Sequence, residues 1–255
     1  MNKYKRTLVA MIGASSVILA GCSEDSFEAY ETAGATSVTS NPGTISQKHF
    51  SLLADEPAPT VIDPADGSFT RTDVVLTINI GDRDNRTITD PHTVTFVAEY
   101  GLINPASCDT GTDGTCSVTW TAISRPDPDG PGSDLNVTIT AYAIGEEEFF
   151  DTNGNGVFDD EDAGFEDLEE PYVDADDVDA NDIDDPEYDG DDAFTLGDVI
   201  IDVVSINDPS GENGEHDFGD GFFNGTGCTH SSLCSVRPVI TVWDDIILRI
   251  NGGGT

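Results

Sequence analysis

Cationic side chains are almost missing from this chain. Ten Lys plus Arg stand against 50 Asp plus Glu in 255 residues, a formal net charge of −40. Three of the ten, Lys3, Lys5 and Arg6, lie at the extreme N-terminus, and none falls between Arg125 and Arg237. No acid precedes Glu24, so loss of the basic start would leave 7 cations against 50 acids, a net −43. Nucleic acid and anionic lipid headgroups repel such a surface, which argues against direct nucleic-acid binding; its natural partners are cations. Catalytic signatures are missing as well. There is no G-x-S-x-G, H-E-x-x-H, P-loop or dinucleotide-binding glycine pattern. The four histidines, His49, His92, His216 and His230, are scattered and read as surface or turn residues rather than bases. A glycosidase needs only two suitably spaced carboxylates, but a chain with 50 acids meets that condition trivially, so it has no discriminating power. The expectation is a protein that is not an enzyme.

Long apolar runs are scarce too. The main one, Leu8 to Ala20 (LVAMIGASSVILA), is too short to span a bilayer comfortably and follows the basic stretch MNKYKR. It ends in Leu19-Ala20-Gly21-Cys22, which resembles the lipobox of bacterial lipoproteins. The resemblance implies a signal peptide over 1–21, acylation of Cys22 and anchoring by its acyl chains. Ser23 rather than Asp follows the cysteine, which by analogy with enteric lipoproteins implies the outer membrane, with the chain periplasmic or surface-exposed. Four cysteines remain, Cys108, Cys116, Cys228 and Cys234. Three connectivities are possible, and nearest-neighbour pairing asks least of the chain in an oxidising compartment. A zinc site is a weak rival, because no C-x-x-C occurs and His216 and His230 are not regularly placed.

Residues 22–57 are rich in Ser, Thr, Ala, Glu and Gly without sustained periodicity, and are expected to form a flexible tether. Pro57, Pro59 and Pro64 mark the entry to something more regular. Strands are predicted at 74–80, 93–98, 116–121 and 135–142, with closing strands from 199–206 and 239–250. Gly81-Asp82, Asp90-Pro91, Asp113-Gly114 and Asp127-Pro128-Asp129-Gly130 supply chain reversals between them. Short, regularly spaced strands without a convincing amphipathic helix give an all-β fold, a β-sandwich over 58–250. Trp120 and Trp243 sit in apolar alternations and are expected in its core; Tyr142, Phe149, Phe150 and Phe158 are expected to anchor the acidic segment to it.

The order of motifs from Thr77 to Phe150 resembles a bacterial immunoglobulin-like domain of the invasin/intimin type. The residues that carry it are the turn Asp82-Arg83-Asp84-Asn85, then Val94-Thr95-Phe96, Gly101, Cys108, Asp113-Gly114-Thr115-Cys116 and Ser117-Val118-Thr119-Trp120. The continuation runs through Ala141-Tyr142-Ala143-Ile144-Gly145 into an acidic loop and on to Gly219-Asp220-Gly221-Phe222-Phe223-Asn224-Gly225. The resemblance implies an immunoglobulin-like β-sandwich over 58–250 with a long acidic insert at 146–194.

Residues 146–192 hold 23 of the 50 acids. Within them Asp151, Asn153, Asn155, Asp159 and Asp162 stand at positions 1, 3, 5, 9 and 12 of a calcium-loop pattern, with Gly156 at position 6 and the Val157 carbonyl available at position 7. Alternate oxygen-bearing residues suit a hard cation that takes six to eight oxygens, and glycine permits the sharp turn. Position 12 carries Asp162 where the usual loop has Glu. Helices of the EF-hand kind do not flank it, so an isolated calcium loop on a β-scaffold is expected. Weaker ligand candidates are Asp174, Asp176, Asp179, Asp182 and Asp185, without the glycine, and Asp217 and Asp220 in a run that lacks the first two ligands. The alternative is a solvated acidic linker. The function these features predict is a calcium-stabilised cell-envelope lipoprotein with a structural or adhesive role. A binding subunit for a protein or glycan partner in an outer-membrane assembly is the second reading, and a carboxylate hydrolase the third.

Overall fold

The structure is a computed structural model, and it describes residues 43–125, 135–173, 198–203 and 214–250. The strands in chain order are β1 (Ile45–Ser46), β2 (Phe50–Ala54), β3 (Asp73–Ile80), β4 (Thr93–Ala98), β5 (Leu102–Asn104) and β6 (Ser107–Asp109). They continue with β7 (Thr115–Thr121), β8 (Asn136–Glu146), β9 (Tyr172–Val173), β10 (Val199–Ile200) and β11 (Ile240–Arg249). No α-helix occurs among the described residues; a 3₁₀ turn over Gln47–His49 joins β1 to β2. The fold is all-β.

Two sheets share one core. One has the order β2-β3-β7-β5; in the other β4 lies between β6 and β8, and β8 is flanked further by β1 and β11. β11 runs antiparallel along the whole of β8, from Ile240 opposite Gly145 to Arg249 opposite Asn136. β4 takes the opposite edge of β8, and beyond it β1 pairs there in parallel, Ile45 opposite Gly145. A side chain at Gly145 has no room, since a Cβ would lie 2.4 Å from the Ile45 carbonyl. The period of two decides what is inside: Val74, Leu76, Ile78 and Ile80 of β3 are buried while Asp73, Val75 and Asn79 face out. Val94 and Phe96, Val118 and Trp120, and Val137, Ile139 and Ala141 meet them from β4, β7 and β8. Burial of each large apolar side chain is worth about 1.5–3 kcal/mol, so this cluster supplies most of the cohesion.

The ordered fold starts earlier than the composition suggested. The expected tether runs to residue 57, yet Ile45, Phe50 and Leu52 are core residues, and β2 pairs with β3 from Phe50 opposite Ile80 to Ala54 opposite Leu76. The alternation Phe50-Ser51-Leu52 lies in a stretch whose Ser/Thr content hid it. Cys22 and the rest of the tether up to residue 42 lie outside the described residues. The predicted strands at 74–80, 93–98, 116–121 and 239–250 form within a residue or two of those bounds, and the fourth extends to Glu146. Of the strand predicted over 199–206, Val199–Ile200 form β10, paired with β9, residues 201–203 are not in a strand, and 204–206 lie outside the described residues. Trp120 is fully buried and donates to the Tyr100 carbonyl at 2.7 Å. Trp243 is a correction: it is only half-buried and meets the Tyr172 ring at a tilt, on the outside of the five-stranded sheet.

The cysteines pair with their nearest neighbours. Cys108–Cys116 ties β6 to β7, and Cys228–Cys234 closes a short loop.

Candidate metal centre

Everything between β8 and β11, residues 147–239, is one insert, and the predicted calcium loop is near its start. The loop side chains turn inward onto each other and onto the loop's own backbone. Asp151 Oδ1 accepts from the N–H groups of Gly154 and Asn155, at 2.7 and 3.1 Å, and its Oδ2 accepts from Gly156 at 2.8 Å. Asp162 spans the loop mouth, taking Thr152 N–H on Oδ1 and Asp159 N–H on Oδ2. Asn153 and Asn155 both donate their amide N–H to Asp159, Asn155 at 2.7 Å. Gly154 and Gly156 each sit at φ 72°, the left-handed region that the tight turn requires. The N–H of Glu161, then the Asn155 amide, hold the Asp159 carboxyl below its ordinary value.

Five of the six predicted ligands are therefore joined by one hydrogen-bonded loop, and Val157 lies between them with its N–H on Asn155 Oδ1. The donor set suits a hard divalent cation. It offers carboxylate, amide and peptide oxygens and no nitrogen or sulfur ligand. Among the described residues no three His, Cys, Asp or Glu side chains are grouped as a metal centre. Three of the six ligand candidates are carboxylates, and the other three offer amide and peptide oxygens. In the structure the two asparagine amide N–H groups donate to Asp159.

The loop is seated on a small apolar centre of its own. Phe158, between ligand candidates Val157 and Asp159, is buried with Phe149 and Phe223, and Phe165, Cys228 and Leu233 pack around them. The rings meet at tilted and edge-on angles with centroids 4.9–5.6 Å apart, the favourable range for aromatic pairs. Phe158 also joins the disulfide loop through its backbone: its N–H donates to Gly227 O, and its carbonyl accepts from Thr229 and His230. His230 stacks flat on the Phe158 ring, 5.1 Å away. Phe149 and Phe158 are buried, but in this separate centre rather than against the core of the two-sheet body to which they were expected to anchor the segment. Phe150 is not buried, since it faces solvent at 60% exposure.

A buried cation fastens this centre to the two-sheet body. Arg83 comes from the turn after β3, which Asp82 closes by accepting from the N–H groups of Asp84 and Arg86. The Arg83 guanidinium lies over the rings of Phe149 and Phe223, 4.8 and 5.5 Å from their centroids, and forms an ion pair with Glu146 at 2.8 Å. Glu146 also takes the N–H and hydroxyl of Thr226, and Arg83 donates to the Thr226 carbonyl. Burial raises the Glu146 carboxyl above its ordinary value although Arg83 acts in the opposite sense. Next to it, Glu147 is fully buried with no cation of its own. It accepts from Leu168 N–H and Asn224 N–H, at 2.8 and 2.6 Å, and burial pushes it up to about 8. Asp167 is raised by the same cause.

Sequence reading missed Arg83, Glu146 and Glu147, because three consecutive glutamates resemble a solvated surface run. One signal was present: a rare arginine within a polyanion has many acids to choose from, and Arg83 belongs to the turn singled out above. Of the weaker ligand candidates, Asp217 and Asp220 are kept away from the loop. Asp217 is bound through its backbone to Glu170, and Asp220 caps Phe222 N–H. Asp174, Asp176, Asp179, Asp182 and Asp185 lie outside the described residues. No protein-family model matches the chain, and neither a curated protein nor a solved structure matches it.

Proposed function

We propose that this chain is a lipid-anchored protein of the bacterial outer membrane in which an immunoglobulin-like sandwich carries a calcium-stabilised insert, with a structural or adhesive rather than enzymatic role. The observation that carries the reading is the 151–162 loop, whose Asp151, Asn153, Asn155, Asp159 and Asp162 engage one another across a turn made by two left-handed glycines. Calcium would supply the charge that balances the three carboxylates among these ligand candidates, with Val157 contributing its peptide oxygen. The immunoglobulin-like reading is supported by strand positions: β2-β3-β7-β5 opposite β6-β4-β8-β11 fills the A-B-E-D and C′-C-F-G positions of that architecture, with the difference that β5, in the D position, precedes β6, in the C′ position, along the chain. The insert then occupies the F–G connection. The lipid anchor rests on Leu19-Ala20-Gly21-Cys22, and the two disulfides fit an oxidising compartment.

The test is a thermal melt of the mature protein in excess EDTA and in millimolar calcium. Extracellular calcium modules bind at about 10⁻⁴ to 10⁻³ M. A tenfold excess over such a constant adds about 1.4 kcal/mol, a shift of several degrees for a domain of this size. The shift should vanish in Asp151→Ala. An unchanged melting temperature removes calcium from the account. A role as a binding subunit is favoured by a separate feature, the apolar groove described next.

A further inference from the structure

The described residues of the insert cover only part of the outside of the five-stranded sheet. It is fixed there by the Tyr172 carbonyl, which accepts from Thr140, by the Glu169 carbonyl, which accepts from the Trp243 indole, and by the Tyr172–Trp243 ring contact. Beside these contacts a groove of about 340 Å³ remains open, within the size range of ligand sites. Its floor and walls are apolar: Ile144, Leu168, Phe218, Val236, Pro238 and Val239. Eleven large apolar side chains are exposed among the described residues, and four of them, Ile144, Phe218, Val236 and Val239, line this one groove. Such a concentration marks an interaction site, whereas single exposed apolar residues do not.

The polar rim selects the occupant. Glu169, Asp217 and Asp220 lie along the groove, Glu170 is buried beneath it with its carboxylate on the N–H groups of Val203 and Asp217, and Arg237 is the one basic residue along it among the described residues. A second copy of this chain would bring the same carboxylates and a net charge of −40 with it, so self-association through this face is opposed. Anionic lipid is opposed for the same reason. One wall is the continuous run 236–241 leading into β11. The run bends at Val236 and Pro238 before it becomes strand at Ile240, and six consecutive residues, at most about 20 Å of chain, make a wall long enough for a short chain segment. We infer that this groove binds an extended peptide segment in which apolar side chains alternate with basic ones, the apolar set entering the groove and the basic set meeting the acidic rim. This deepens the adhesive reading by giving its partner a chemistry, and it does not depend on calcium.

Fluorescence anisotropy on the mature protein tests it, with a labelled octapeptide of four Val-Lys repeats as the probe. Two controls separate the forces: four Val-Glu repeats keep the apolar side chains and reverse the charge, and four Gly-Lys repeats keep the charge and remove the apolar side chains. The Val-Lys peptide should bind at least about tenfold more tightly than either control. Ile144→Ser combined with Val239→Ser should weaken it by a similar factor, and Asp217→Asn combined with Asp220→Asn should do so independently. No binding of the Val-Lys peptide overturns the proposal. Equal binding of the Val-Lys and Gly-Lys peptides, or affinity that both double variants leave unchanged, also overturns it, because only diffuse attraction between polycation and polyanion would remain. Repeating the titration with Asp151→Ala distinguishes the two readings: the calcium response can fail while the groove still binds.

Discussion

The two-sheet body and the insert hide apolar surface by different means. The body does it with a continuous cluster of aliphatic residues from β2, β3, β4, β7, β8 and β11 around Trp120, with hardly a charge inside. The insert has three buried phenylalanines, one disulfide loop and a fully buried Glu147, and the Arg83–Glu146 pair of the body fastens it. Where a chain this acidic must cross its own core, it converts carboxylates into structural acceptors: Glu147 caps Leu168 and Asn224, and Glu146 holds Thr226. Regular alternation suffices for the body. The insert depends on specific polar partners, and it should fail first.

The largest effect is expected from Phe158→Ala. Truncation of a buried phenylalanine costs about 3–5 kcal/mol, and Phe158 joins the 151–162 loop to the disulfide loop. Hydrogen exchange should show protection lost across the insert and kept in β3 and β7; loss in both would dissolve the distinction between the two regions. Arg83→Met should come next, at about 3 kcal/mol, since Glu146 is then left buried without its cation. Adding Glu146→Gln should recover most of that loss, and a double-mutant cycle without coupling would deny the pair its fastening role.

Replacing Cys228 and Cys234 by serine should cost about 2 kcal/mol, the value for closing so short a loop. That loss should register in the insert, with β8 and β11 unaffected. The last effect is a slope with pH rather than a fixed cost. Glu147 moves from an ordinary 4.5 to about 8 in the folded protein, so the native state holds its proton more tightly than the unfolded chain does. Stability from this group is complete below pH 4.5 and drains as pH rises towards 8, by up to about 1.4 kcal/mol per pH unit. Glu147→Gln should flatten denaturant-derived stability over this window while costing one hydrogen bond at every pH. Glu146, Asp167 and Glu170, raised in the same direction, should leave a smaller residual slope.

The contrast between the regions also decided what could be read from sequence. Val74-Val75-Leu76-Thr77-Ile78 declares its faces because a strand repeats every two residues, and its partners β4, β7 and β8 do the same. The disulfide pairing and the calcium-loop spacing are local and were equally legible. Phe50 and Leu52 carry a real alternation, but it is brief and follows a polar stretch. Arg83, Glu146 and Glu147 were hidden because their roles exist only once the turn after β3 is brought against the end of β8. No pattern along the chain records that meeting. Trp243 was misassigned because a strand covered on both faces, as β11 is beneath the Tyr172 segment, no longer separates core from outside by alternation.

Counting calcium bound to the purified mature protein by equilibrium dialysis at millimolar free calcium tests the central claim most directly. The account predicts at least one ion per chain, lost in both Asp151→Ala and Asp159→Ala although the two-sheet body stays folded. A chain that binds none, or one whose bound calcium is unchanged by both substitutions, would contradict it.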